Sequence, residues 1–503
     1  MKYILTAEEM MKIDTYTIEH FHVPSIVLME RAAQKVVAAI QKEKYNLSSI
    51  LIVCGNGNNG GDGFAVARIL HEKGYKVDVF FTGIITHMSP ETRENHDSCL
   101  AYKIPVRSSI RDLEYTLIID AMFGIGLNRE LENRNIDIIN DINAYRENGT
   151  KIVAIDIPSG VSADTGKVMG AAIKADLTVT FGYYKKGMML YPGAKYVGKI
   201  LLADIGITKE SMCCISPNIK CLTLSDLKKS EILQRDDDGN KGTFGKALII
   251  AGNEGMTGCA VLSALSCFKT GVGMVRVFTH VDNKQSIIDK VPEAIVDTFD
   301  SDVNLDKLSE ALRWADVIGI GPGLGKDKRA RKIFEFVFFK SNKPFIIDAD
   351  AIALLKEYKP TLQKNVDKDI ILTPHIGELS RFTDIKKEEL LDNIISSAVA
   401  VAKTYNLTCV AKDARTIIAS KDGDRIINVT GNNGMASAGM GDCLLGIITA
   451  LRARGFDSFK SSIYGCYIHG MAGDIAARKT GKAGLLATNL INELKTCLEA
   501  GNE

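Results

Sequence analysis

Residues 48–64 read SSILIVCGNGNNGGDGF: a short apolar run rich in β-branched residues, a glycine-rich loop, and then the helical stretch FAVARILHEKG over 64–74. The same alternation continues outward through YKVDVFF (75–81), YTLIIDAMFG (115–124), KIVAIDIPSG (151–160) and LTVTF (177–181). Short apolar strands separated by helical segments predict parallel strands joined by crossover helices. Upstream, residues 8–43 place apolar positions at helical spacing and break at Pro24, predicting two packed helices before the first strand. A polar stretch, SDLKKSEILQRDDDGNKGTFG (225–245), then leads into a second series: KALIIAG, MVRVFT, ADVIGIGPG, KPFIIDADA, DIILTP, LTCVAKD and RIINVT. TIIAS and RIINV, joined by KDGD, predict a hairpin. The expectation is two α/β domains, residues 1–222 and 223–503.

Composition narrows the class. The 503 residues carry 62 basic and 61 acidic side chains, so nothing draws the chain toward nucleic acid or anionic lipid. The chain is 46% hydrophobic and 24% charged, as in globular domains. Eleven cysteines without a CxxC pair suit a reducing compartment. With neither an apolar run of membrane-spanning length nor a signal-like start, a cytoplasmic, membrane-free protein is expected.

Gly55, Gly57 and Gly60 form GxGxxG after a strand, with Asp78 in the next one, which is the Rossmann dinucleotide fingerprint. The loop departs from it by crowding Asn58, Asn59 and Asp62 into the turn, while Cys54 reads as a buried strand residue. Asp120 and Asp156 end two further strands and so converge on the same crevice, although either alone could cap a turn. Oxygen donors from Asn59, Asp120 and Ser159 would suit a hard cation.

The second half has no Walker A loop; Gly193 to Lys199 leads into an apolar run instead of a helix. Its strongest signal is GNNGMASAGMGDCLLGIITALRARG (431–455), where small residues precede a helix expected to begin near Asp442. Free amides and the helix dipole there would bind phosphate and lower the pKa of Asp442, leaving a proton acceptor; a plain helix cap is the alternative. Gly252 to Gly258 and the glycines at 319, 321, 323 and 325 open two more strand ends. His375 follows another strand, and Lys412 and Arg415 read either as phosphate contacts or as solvated charges.

GNGNNGGDGF, DAMFGIGLNRE, DIPSG and the early LMERA resemble the amino-terminal domain of the NAD(P)H-hydrate epimerases over about the first 220 residues. The resemblance implies that Asn58, Asn59, Gly60, Gly61, Asp62, the loop Gly124, Ile125, Gly126, Leu127, Asn128, Arg129 and Glu130, and Asp156 contact a hydrated nicotinamide dinucleotide. It implies a potassium ion (K+) on Asn59, Asp120 and Ser159. One carboxylate can serve as acid or base in inverting a hydroxyl-bearing carbon, and Asp156 is the candidate.

NKGTFGKALIIAG, GIGPGLG, LTPHIGE and GMGDCLLGII, in that order, resemble the ribokinase-like ADP- or ATP-dependent NAD(P)H-hydrate dehydratases over about residues 225–503. That resemblance implies nucleotide contacts at Lys412, Asp413, Ala414, Arg415, Thr416 and Gly441. Cys259, Gly323, His375 and Asp442 would face the hydrate, with Asp442 as catalytic base. Asn253, Cys259, Ile376 and Ala438 depart from the family pattern. The implied whole is a fused repair enzyme in which an epimerase domain interconverts the hydrates of NADH and NADPH. A dehydratase domain then restores one of them with ADP, favoured over ATP, and Mg2+ (Mg²⁺), releasing phosphate. A homo-oligomer is expected. The alternative is a small-molecule kinase joined to a non-catalytic nucleotide-binding domain.

Overall fold

A computed structural model describes residues 1–110, 114–364 and 368–499. The chain divides into two compact units, Lys2–Pro217 and Asn218–Glu503.

The strands of the first unit are Lys2–Leu5 (β1), Ile50–Cys54 (β2), Val77–Phe81 (β3), Val106–Arg107 (β4), Leu117–Ala121 (β5), Lys151–Ile155 (β6), Leu177–Phe181 (β7), Tyr184–Lys185 (β8) and Lys199–Ala203 (β9). Seven of them form a parallel sheet in the order β4-β3-β2-β5-β6-β7-β9. β2 and β5 are buried along their whole length, the pattern of strands covered by helices on both faces. From β2 the chain builds first toward β3 and later, on the other side, toward β5. The order therefore reverses between β2 and β5, where a doubly wound sheet opens its ligand crevice. The sequence reading has no counterpart for β1, which pairs in parallel with β8 and aligns Leu5 with Lys185.

The helix after β2 begins at Asn58 and runs to Glu72, so the expectation of a loop reaching to Phe64 is corrected. Asn and Gly favour turns, but here close packing overrides them. A Cβ on Gly60 would lie 1.9 Å from the carbonyl oxygen of Gly55, so only glycine lets this first helical turn close against the strand end. Asn58, Asn59 and Asp62 thus stand on a helix start.

In the second unit the strands are Ile219–Cys221 (β10), Lys246–Ile250 (β11), Met274–His280 (β12), Ile295–Phe299 (β13), Val317–Ile320 (β14), Phe345–Ile347 (β15), Ile370–Leu372 (β16), Thr408–Ala411 (β17), Ile417–Ala419 (β18) and Arg425–Ile427 (β19). They are ordered β13-β12-β11-β14-β15-β16-β17-β18-β19-β10. β11 to β17 are parallel, and the expected hairpin is the antiparallel pair β18 and β19. The switch falls between β11 and β14, whose ends carry the loops at Gly252 and Gly321. Helix Met440–Ala453 is apolar on nearly every side and packs in the core with helices Thr257–Lys269 and Ser458–Thr480. Burial on all sides fixes where its first turn, and hence Asp442, points.

Candidate active sites

In the first unit the ends of β2, β5, β6 and β7 meet. Asp120 is fully buried at the end of β5; its Oδ1 accepts from the hydroxyl of Ser159 (2.6 Å) and from Met122 N (3.2 Å), and its Oδ2 accepts from Ser159 N (2.8 Å). Burial pushes its carboxyl up to about 6, against the pull of those Ser159 bonds. Asn59 packs against Gly124, and its buried Nδ2 has no hydrogen-bond partner. The expected oxygen donors therefore gather around the turn Met122–Gly124.

Asp156 follows β6 with φ +62°, a left-handed backbone that Asp tolerates and that aims its carboxylate back across the sheet edge. Its Oδ1 accepts from Thr180 Oγ1 and Phe181 N, both at 3.1 Å, and from the ammonium of Lys185. That ammonium also donates to Thr180 Oγ1 and Phe181 O, both at 2.9 Å. Among the described residues nothing donates to Oδ2. Two more carboxyls feel these charges. Asp14, on helix Ala7–Glu19, is pushed up to about 7 by burial and by Asp156, with Lys185 opposing. Asp62 is driven well above the carboxylate range by burial, Asp156 and Asp14. A carboxyl bound to a lysine, beside two carboxyls raised above their ordinary range, is an arrangement suited to proton transfer.

Sequence reasoning missed Lys185 and Asp14. The available signal for Lys185 was its position just after the buried strand LTVTF, where a lysine must find a partner. Of the predicted contacts, Gly60 and Gly61 are buried in the helix start, while Gly126, Asn128, Arg129 and Glu130 lie on an exposed loop after β5.

The second unit brings its residues together at the ends of β11, β14, β15, β16 and β17. Asp442 lies in the first turn of helix Met440–Ala453, which starts after Gly439 at φ +88°. The expectation that its pKa is lowered is corrected: burial first, then the neighbouring Asp348, push it up to about 6, and Lys412 only partly opposes them. The helix dipole acts within one turn and is outweighed by desolvation. Lys412 is no solvated charge. Its ammonium donates to Asp348 Oδ1 at 2.6 Å, and Asp348 is 2% exposed. Gly441 covers this pair, since a Cβ there would lie 3.5 Å from Lys412 Nζ and 3.6 Å from Asp348 Oδ2. Asp348, which the sequence reading passed over within FIIDADA, is held by Ala349 in a left-handed φ of +50°.

Cys259 donates its thiol to Met256 O (3.0 Å) and Pro322 O (3.2 Å), and burial and the charge of Asp442 push that thiol up to about 12. Gly323 leaves the space this sulfur occupies; a Cβ would come within 2.4 Å of it. A cleft of about 580 Å³ opens beside them, lined by Asn253, Met256, Gly323, Gly325, Arg329 and Asp350 among others. His375 is exposed and caps helix Ile376–Thr383, its Nδ1 accepting from Gly377 N at 2.9 Å. Asp413 and Ala414 are exposed, Thr416 half-buried, and Arg415 donates to Val429 O at 2.9 Å. Among the described residues no group of three or more His, Cys, Asp or Glu could hold a metal, and no helix is long and apolar enough to cross a membrane.

Both units have relatives among known proteins. The family described as NAD(P)H-hydrate dehydratase matches residues 247–496, and that described as YjeF-related protein N-terminus matches residues 25–187. A bifunctional NAD(P)H-hydrate repair enzyme of Moorella thermoacetica is 34% identical over 98% of this chain and 96% of its own. The one from Escherichia coli K12 is 31% identical over 93% of this chain and 88% of its own. Among solved structures, a ribokinase-like superfamily protein of Enterococcus faecalis is 30% identical, with a TM-score of 0.52 over 57% of this chain and 98% of that one. An ADP/ATP-dependent NAD(P)H-hydrate dehydratase of Bacillus subtilis, co-crystallised with ATP and Mg²⁺, is 28% identical, with a TM-score of 0.50 over 57% of this chain and all of that one. Similarity over nearly the full length, rather than over a kinase-like half alone, sets the small-molecule kinase reading aside: the chain belongs to the bifunctional NAD(P)H-hydrate repair enzymes, with an epimerase and a dehydratase domain.

Proposed function

We propose that Asp156 carries the epimerisation and Asp442 the dehydration, each in its own unit. In the first, Lys185, Thr180 and Phe181 occupy Oδ1 of Asp156 and leave Oδ2 to meet the substrate. Configuration at a hydroxylated ring carbon is inverted by breaking and remaking a bond there. Asp156 holds or returns the proton, and the protonated carboxyl of Asp62, whose burial favours its neutral form, stands by as donor. The loop Gly124 to Glu130 and the helix start Asn58 to Asp62 flank the crevice at the sheet's switch point, which suits a dinucleotide.

The donor set fits K+. Asp120 is a buried carboxylate with hydrogen bonds but no cationic partner among the described residues, and the orphaned amide of Asn59 satisfies itself once its oxygen turns inward. Asn59, Asp120 and Ser159 would hold the ion, which supplies positive charge to the turn carrying Gly124.

In the second unit Asp442 takes the proton of the substrate hydroxyl as that oxygen bonds to the terminal phosphorus of the nucleotide. The bond from that phosphorus to the rest of the nucleotide breaks; phosphate then leaves with the C–O electron pair while the neighbouring ring carbon loses a proton to solvent, forming the C=C bond of the reduced coenzyme. Asp442 stands in the first helical turn, next to Gly441 and the Lys412–Asp348 pair below it, and this placement carries the assignment; a carboxyl pushed up to about 6 is ionised at neutral pH yet avid enough to accept that proton. Lys412, with Gly441 above it, offers a cation and open backbone to the nucleotide phosphates. The chain offers no cage of its own for Mg²⁺ among the described residues, which suits an ion carried mainly by nucleotide phosphates and water. Mg²⁺ would neutralise charge on the transferring group. ADP is the favoured donor.

The test is to incubate the purified chain with both hydrate epimers, with ADP, with ATP and with neither, following absorbance of the reduced coenzyme and release of phosphate. Wild type should consume both epimers with a nucleotide, Asp156→Asn only one, and Asp442→Asn none. Full turnover by Asp442→Asn would end the assignment.

A further inference from the structure

The two sites account for the reacting end of the hydrate and for the phosphoryl donor, and leave the far end of the dinucleotide without a seat. Beside the 580 Å³ cleft of the second unit lies a smaller one of about 240 Å³. The two share Asp350, and Gly325 of the first is followed directly by Lys326 of the second. Lys326, Lys356 and Arg381 face the smaller cleft together with Asp350 and Glu378. Both carboxylates are engaged at its wall. Asp350 Oδ2 accepts from Gly325 N at 3.0 Å, and Glu378 Oε2 accepts from His375 N at 2.9 Å. Lys356 is paired with Asp384. Lys326 and Arg381 are exposed, and among the described residues neither has an ion pair or hydrogen bond. Arg381 stands on helix Ile376–Thr383, whose start is fixed by the His375 and Glu378 capping box.

An unengaged guanidinium and ammonium over engaged carboxylates form a seat for a phosphomonoester dianion, which a guanidinium meets with two parallel hydrogen bonds. We propose, resting on the dehydratase reading of this unit, that the cleft binds the 2′-phosphate of hydrated NADPH and makes the second unit select the phosphorylated hydrate over that of NADH. The same chemistry could come from a phosphate of the nucleotide co-substrate. That phosphate is already served by Lys412 and Gly441, at the end of another strand.

The test uses the full chain and the variant Lys326→Ala with Arg381→Ala, both changes lying on the surface. KM for the hydrates of NADPH and of NADH, and KM for ADP, are measured by recovery of absorbance. The ratio of the NADPH-hydrate KM to the NADH-hydrate KM should rise by about tenfold or more in the variant, the weight of charge-assisted hydrogen bonds to one dianion. Adenosine 2′,5′-bisphosphate should inhibit the wild type more strongly than 5′-AMP, and the variant no more strongly. An unchanged ratio, or a rise in KM for ADP alone, overturns the proposal. Wild type that turned over neither hydrate would instead overturn the dehydratase reading itself.

Discussion

The ammonium of Lys185 sits on Oδ1 of Asp156 with only 1% of the lysine exposed, so the working carboxylate of the first unit is tied on one side and open on the other. Breaking a buried pair by removing one partner costs about 3–5 kcal/mol. Lys185→Met should therefore lower the melting temperature of the first unit and abolish epimerisation. Asp156→Asn keeps a hydrogen-bond acceptor for Lys185 but leaves its buried charge unpaired, so it too should melt below wild type while losing about 10²–10⁴ in rate. Chromatographic separation of the epimers and thermal melts of both variants check this; epimerisation by Lys185→Met near the wild-type rate would count against the arrangement.

Dehydration should follow the ionisation of Asp442. Its carboxyl is pushed up to about 6, and only the ionised form accepts a proton, so kcat/KM should fall as pH drops through about 6 and level off above it. Lys412 opposes that rise, so Lys412→Met should move the acidic limb to higher pH as well as weaken nucleotide binding. A pH profile with saturating and limiting nucleotide separates the two effects.

The same group burdens the fold. A carboxyl raised in the folded state from 3.8 to about 6 makes the native form bind protons more tightly than the unfolded chain. The penalty is absent below the unfolded value, grows as pH rises between the two, and is complete above about 6. There it is on the order of 2–3 kcal/mol. Asp442→Asn should thus raise the melting temperature of the second unit at pH 8 and change it little at pH 4, a stability gain bought with activity. Equal shifts at both pH values would contradict it.

How much of this was legible depended on whether a residue's neighbours were close in sequence. The strands announced themselves because Ile50–Cys54, Leu117–Ala121 and Lys246–Ile250 are short, mostly apolar segments carrying Ile or Val between turn residues. Asp120, Asp156 and Asp442 were legible because strand ends and helix starts face a crevice in any doubly wound sheet. The start of helix Asn58–Glu72 was not, since the Gly55–Gly60 contact that closes it is a packing fact that composition conceals. Nor was the direction of the Asp442 shift: the dipole is local, while burial and Asp348 arrive from the fold. Lys185 and Asp348 were missed for the same reason. Their partners Asp156 and Lys412 lie 29 and 64 residues away.

The cation reading of Asn59, Asp120 and Ser159 has a readout apart from turnover. An ion that binds only the folded chain stabilises it by mass action. KCl should raise the melting temperature of the first unit above that in tetramethylammonium chloride at equal ionic strength, and Asp120→Asn should remove the difference. Identical melts of the wild type in the two salts would dismiss the ion.

Gly441 offers a way to separate nucleotide binding from folding. A Cβ there would meet Lys412 Nζ at 3.5 Å and Asp348 Oδ2 at 3.6 Å, ordinary contact distances, so Gly441→Ala fits the empty protein without displacing either group. Alanine also favours the first turn of helix Met440–Ala453 by about 1 kcal/mol over glycine, so the variant should melt no lower than wild type. The methyl group nevertheless stands over the ammonium of Lys412, where a nucleotide phosphate must approach. KM for ADP should rise by about tenfold or more, the effect of losing one charge-assisted contact, while epimerisation in the first unit is untouched. Nucleotide kinetics identical to wild type would place the phosphates elsewhere than over Lys412.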